Sequence, residues 1–99
     1  IEMELMKIIS KHQIPIKDIF VLGVSDKKWG QRLIVLTKFK EKGIHRYPII
    51  KLLTDLIKDW QPSKKPLKWY DCPKLSRNIN KKWEVKKWQD WVALNSPIS

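Results

Sequence analysis

Apolar residues recur at helical spacing at the start of the chain, at Ile1, Leu5, Ile8 and Ile9, with Glu2, Glu4, Lys7 and Lys11 on the other faces. The spacing predicts a helix of about three turns, and Pro15 bars its continuation. The run IFVLGV, residues 19–24, is short, apolar and rich in β-branched and aromatic side chains, which predicts a buried strand. After the polar loop SDKKWGQ, the run RLIVLTKF predicts a second strand ending near Phe39, and KEKG at 40–43 predicts a turn. Ile49, Ile50, Leu52, Leu53, Leu56, Ile57 and Trp60 trace the stripe of an amphipathic helix of roughly four turns, with Lys51, Asp55 and Lys58 outward and Pro62 as its end. PLKWYDC at 66–72 alternates poorly, yet its Trp-Tyr pair suits a third strand. Val85, Trp88, Trp91 and Val92 then predict a terminal helix, stopped by NSPIS. The order α-β-β-α-β-α, with sequential strands, predicts an α+β fold in which helices pack on a small, about three-stranded sheet.

Ninety-nine residues are enough for one domain, 1–99, with a single modest core. At 42% hydrophobic and 31% charged, the composition is that of a globular chain rather than a disordered one. A net charge of +11 is large for this length, and it is concentrated toward the end: residues 1–60 carry +5 and residues 61–99 carry +6. Such a field attracts nucleotides, polyphosphates, nucleic acid or anionic lipid without choosing among them. The lone Cys72 has no partner for an internal disulfide and fits a reducing, cytoplasmic setting. No apolar run approaches the ~20 residues that cross a bilayer, and no signal peptide pattern is visible. The chain opens without Met and in mid-pattern, at IEMELMKIIS, as a piece of a longer protein would.

Catalytic constellations are scarce. His12 and His45 are far apart in sequence, and neither forms ligand spacing or a nucleophile–base pair with Cys72, so no metal site is expected. Neither a GxxxxGK[ST] nor a GxGxxG loop is present to cradle a triphosphate. Six tryptophans interleaved with lysines suit a platform for single-stranded nucleic acid, bases on rings and phosphates on ammonium groups. Against this, Trp60, Trp88 and Trp91 fall at the helical period and read as core, whereas Trp29 and Trp83 lie in or beside loops. The segment KLSRNINKKWEVKKW, residues 74–88, holds two lysine pairs that are either a solvated helix face or a surface with a specific task.

Four short motifs in order alter that balance: IEMEL opening a helix, VLGVSDKKWGQRL, KKP, and nine residues later LSRNINKK. Together they resemble the C-terminal domain of the adenylate-forming superfamily, which includes acyl-CoA synthetases, the adenylation domains of nonribosomal peptide synthetases and firefly luciferase. Members typically read E-I-E, V-x-G-V-P-D-x-x-x-G-E, Y-K-x-P and L-P-R-[TN]-x-x-G-K. The resemblance spans essentially the whole chain. On it, Glu2 matches the acid of E-I-E, and Gly23, Val24, Asp26 and Gly30 match the second motif, with Ser25 for its proline and Gln31 for its glutamate. Lys64 and Pro66 match the third, with Ser63 for its tyrosine, and Leu75, Arg77, Asn78 and Lys82 match the fourth. Ser76 replaces that motif's proline and Lys81 its glycine. If Asn80 adopts the left-handed backbone expected of that glycine, the loop shifts by one and Lys81 becomes its tip; the ungapped count from Leu75 favours Lys82.

The resemblance implies a lid domain whose loop lysine, Lys82, is catalytic. It enters a cleft on a larger N-terminal domain, absent from this chain, and holds the carboxylate substrate and the α-phosphate of ATP (as Mg-ATP). Two anions meet in that step, and a compact ammonium on a long stem offsets the charge on both. The lid then rotates and presents a second face, near the E-I-E helix and the G-V-x-D strand end, for thioester formation with CoA. Lys64, Lys65 and Arg77 are the candidate cofactor-binding residues, the two lysines for CoA phosphates on charge alone. Within the superfamily the stretch 66–91, dense in tryptophan and lysine, is most similar to o-succinylbenzoate–CoA ligases of cyanobacterial type, which act in phylloquinone or menaquinone synthesis. By itself the domain is expected to be inactive. The expected partners are its own N-terminal domain, a small carboxylate, ATP and CoA, with no nucleic acid and no membrane span. A basic module for single-stranded nucleic acid, and an adenylation domain loading a carrier protein, stay open as alternatives.

Overall fold

The computed structural model describes residues 1–28 and 30–98. Trp29, for which stacking on bases and simple packing were both open, lies outside the described residues. The elements are α1 (Glu2–Lys11), β1 (Ile16–Asp26), β2 (Gly30–Phe39), α2 (Arg46–Leu56), a short 3-10 turn (Pro62–Lys64), β3 (Lys68–Asp71) and α3 (Val85–Ala93). This is the expected α+β fold with the expected element order. β1 and β2 form an antiparallel hairpin, and β3 adds to β2 in parallel after the crossover through α2, so the spatial order is β1-β2-β3.

α1 stops before Pro15, and for a local reason. Gln13 adopts φ 52°, the Gln13 N–H donates to Ser10 O at 3.1 Å, and the Ile14 N–H donates to Ile9 O at 2.9 Å. This pair of bonds closes a helix with a left-handed residue just past its end, and it packs Ile14 beside Ile9 in the core. α2 starts three residues earlier and ends four earlier than its apolar stripe suggests. Pro48 lies in its first turn, where a missing N–H costs nothing. Beyond the capping residue Ile57 the chain tightens, with the Trp60 N–H donating to Ile57 O at 3.0 Å. Trp60 is therefore off the helix but still packs on the core.

The hairpin register places side chains on alternating faces of the sheet. Ile19, Val21 and Val35 point to one face, where Leu5 and Ile9 of α1 and Ile50 and Leu53 of α2 cover them. Phe20, Leu22, Ile34 and Leu36 point to the other, beneath Trp88 of α3 and the irregular segment after β3. Burial on both faces explains why β2 reads as an unbroken apolar run. The last residues do more than stop the chain: the Ile98 N–H donates to Trp69 O at 2.7 Å, on β3, and Ile98 packs on the first core.

Candidate functional site: the lysine loop

Past Asp71 the chain leaves the sheet but stays tied to it. The Cys72 N–H donates to Thr37 O at 2.8 Å, and the Leu75 N–H donates to Cys72 O at 3.1 Å. Leu75 and Cys72 are both sealed in the second core. The Lys38 ammonium, from β2, donates to Leu75 O at 3.2 Å. These contacts fix where the following loop begins.

The loop then closes on itself around Asn78. The Asn78 N–H donates to Lys82 O at 2.8 Å, and the Lys81 N–H donates back to Asn78 O at 2.8 Å. The Asn78 side-chain oxygen accepts from the Asn80 N–H at 2.9 Å and from the Lys82 N–H at 3.0 Å. An asparagine side chain that imitates a backbone turn is well suited to this task. Lys81 is the left-handed residue, at φ 61°, and Asn80 is not. The glycine-type backbone thus falls on residue 81, with no shift of the loop by one position.

Two shoulders hold this turn. On the N-terminal side the Arg77 guanidinium lies 4.3 Å above the centre of the Trp83 ring and pairs with Asp18 at 3.6 Å. On the C-terminal side Trp83 stacks on Phe20 of β1, with centroids 4.6 Å apart and planes at 16°. Arg77, Trp83 and Phe20 therefore form one layered column standing on the sheet. Glu84 follows as the residue that opens α3.

Ile79, Asn80, Lys81 and Lys82 are exposed at the tip, Ile79 to 97%. Of the two lysine pairs, the second is occupied: Lys86 bonds Asp90 at 2.8 Å, and Lys87 lies 4.9 Å from the centre of the Trp88 ring. Neither Lys81 nor Lys82 has a side-chain partner among the described residues.

Lys64 and Lys65 are elsewhere. They sit in and just after the 3-10 turn that precedes β3, whereas the lysine loop follows the far end of β3. Near them are the hairpin turn between Asp26 and Gly30 and a shallow depression lined by Gln31, Arg32, Gln61, Pro62 and Ser63. Gly30 has φ 79°, the conformation that favours glycine, and a side chain on Gly23 would meet the Gln31 amide at 2.7 Å. Along β1, Asp18 at the loop end and Asp26 at the hairpin end are eight residues apart, roughly 26 Å at strand rise. The structure thus separates Lys82 and Arg77 from Lys64 and Lys65 by most of the length of the sheet. Glu2, on α1, accepts a long hydrogen bond of 3.5 Å from the Val21 N–H at the open edge of β1.

His12 caps the end of α1 and His45 the start of α2, both exposed. Among the described residues no group of three or more His, Cys, Asp or Glu side chains is close enough to hold a metal ion. Burial, with the neighbouring Asp71 carboxylate, pushes the Cys72 thiol up to about 11, so it is no nucleophile near neutral pH. The five described tryptophans are all buried or half-buried; Trp88 is core as its helical spacing predicts, and Trp91 and Trp60 are so in part. No described helix is long and apolar enough to cross a membrane. Sequence reasoning did not find Asp18, Phe20 or Asn78 as loop supports, nor the Arg46–Asp71 pair at 3.1 Å that ties α2 to the end of β3. Asn78 had the one usable signal, an asparagine before a turn.

Comparison with models of known protein families finds no match, and neither does comparison with curated proteins. A solved structure does match: o-succinylbenzoate CoA synthetase (MenE) from Bacillus subtilis, a double mutant bound with its product analogue OSB-NCoA. The TM-score is 0.66 at 22% sequence identity, over 97% of this chain and 18% of that one. This chain therefore spans less than a fifth of that protein's length, and at this identity the likeness is one of fold.

Proposed function

We propose that this chain is the C-terminal lid domain of an AMP-forming acid–CoA ligase, and that Lys82 is the lysine it contributes to adenylate formation. The observation that carries the reading is the loop: a closed turn with glycine-type backbone at residue 81, followed by a lysine that is exposed and unpaired among the described residues. Its position in a fold like that of part of an o-succinylbenzoate CoA synthetase supports the same reading.

In the larger protein, an N-terminal domain binds the carboxylate and ATP. The substrate carboxylate attacks the α-phosphate, an acyl-adenylate forms and pyrophosphate leaves. Lys82 contacts one oxygen of the attacking carboxylate and one of the α-phosphate, and stabilises charge that grows on the phosphoryl group. The exposed Ile79 beside it suits a tip that enters a cleft rather than one that stays in water. The lid then turns and the hairpin end, with Gly23, Gly30, Lys64 and Lys65, faces the site while the CoA thiol displaces AMP. Two functional groups at opposite ends of one sheet are what a domain with two docking poses requires. We assign o-succinylbenzoate as the acid on the same fold likeness together with the tryptophan- and lysine-rich stretch 66–91.

The test uses the full-length protein. Lys82→Ala is expected to abolish acyl-adenylate formation while thioester formation from supplied acyl-adenylate survives. Equal loss of both half-reactions, or loss of neither, contradicts the assignment.

A further inference from the structure

The column beneath the lysine turn has a task of its own. Arg77 and Trp83 flank the turn 78–82, and each is held by the other at 4.3 Å and by β1, through Asp18 and Phe20. The Trp83 indole N–H is buried and has no acceptor among the described residues, so the ring is held by packing, stacking and the cation rather than by a hydrogen bond. A ring that stacks on an aromatic neighbour and also carries a cation is a clamp between the two arms of a loop. The backbone inside the turn is self-closed through Asn78, and at its two shoulders the side chains of Arg77 and Trp83 tie it to β1.

Resting on the proposed reaction, we infer that Arg77 and Trp83 are positioning residues for Lys82, and that Arg77 acts through Trp83 rather than as a direct ligand of the nucleotide. The guanidinium is already committed to a ring and a carboxylate of its own domain. Removing either member lets the turn swing and lowers the fraction of time Lys82 spends in reach of the reacting phosphate.

The experiment compares Arg77→Gln, Trp83→Leu and Trp83→Phe. In the 99-residue chain, amide exchange of Asn80 and Lys82 is expected to speed about tenfold in Arg77→Gln and Trp83→Leu, while exchange of Val35 in β2 is unchanged. Trp83→Phe keeps the slow exchange, because the indole N–H has no bond to lose among the described residues. In the full-length protein both disruptive variants lower kcat for adenylate formation by roughly tenfold to a hundredfold, leave KM for ATP unchanged, and combine less than additively. Loop exchange that stays slow overturns the inference. So does an equal acceleration at Val35, which makes Trp83 ordinary core, or a raised KM for ATP in Arg77→Gln alone, which makes Arg77 a ligand. Exchange reads the clamp without any turnover. A clamp seen by exchange in a full-length protein with no adenylation activity leaves the clamp standing and rejects the ligase reading.

Discussion

The two faces of the sheet are closed by different means. On one, two helices lay Leu5, Ile9, Ile50 and Leu53 against Ile19 and Val35, a mainly aliphatic core between regular elements, with Phe39 and Trp69 as its buried rings. On the other, a single nine-residue helix covers part of the surface, and the segment 72–84, with no regular structure, covers the rest. Irregular backbone has no ladder of hydrogen bonds to hold it, and here large rings, Phe20, Tyr70, Trp83, Trp88 and Trp91, join Leu22, Ile34, Leu36 and Leu75 and give wide contact at few points. The difference teaches where rigidity has been placed. The first face stabilises the domain, while the second also holds a loop at a fixed attitude.

The comparison breaks most visibly at Trp88, which is 2% exposed at the centre of the second face. Trp88→Ala is expected to cost about 3–5 kcal/mol in denaturant unfolding and to free the lysine loop with it. Leu53→Ala, at the centre of the first face, costs about 2–5 kcal/mol, but short of global unfolding it leaves the exchange of the Asn80 and Lys82 amides as it was. If both substitutions loosen the loop equally, the faces do not differ in the way described.

Cys72 supplies a pH readout of the second face alone. Its folded value of about 11 lies above the thiol's ordinary one, so the folded state keeps the proton longer than the unfolded state does. Its contribution to stability is complete below pH 9.0 and is lost as pH rises toward about 11. Lysines titrate in the same window, so the measurement is the difference in alkaline slope between the native chain and Cys72→Ala, with the native chain falling more steeply. Equal slopes would show that the thiol is not held in a dry core. The smallest effects come from backbone geometry. Gln13→Gly on the first side and Lys81→Gly on the second each relieve a left-handed residue and are expected to raise stability by about 0.5 kcal/mol, the strain relief being partly offset by the flexibility of glycine.

Helical periodicity and unbroken apolar runs made the element order legible, because a helix buried on one face leaves a repeating trace and a strand buried on both leaves a continuous one. The bounds were less legible. Lys17 and Asp18 interrupt the apolar run of β1, so its first turn onto the sheet was invisible, although the strand continues there with a shifted register. Tyr47 and Pro48 hid the start of α2, and Gln13, standing where glycine is usual, hid the end of α1. The lysine loop was legible through motif order, which named Lys82 and left residues 80 and 81 as rivals for the left-handed position; the backbone angle selects 81. The column of Arg77, Trp83 and Phe20 spans more than fifty residues of sequence and has no period, so only the folded chain brings it together.

The most direct measurement sets Lys82→Ala beside Lys81→Ala in the full-length protein and follows pyrophosphate release in a single turnover with ATP and o-succinylbenzoate. The two lysines are adjacent, exposed and equal in charge, and they differ in the backbone that aims them. The account predicts a loss of at least about a hundredfold for Lys82→Ala and at most a few-fold for Lys81→Ala. Equal losses, or the larger loss at residue 81, would contradict it.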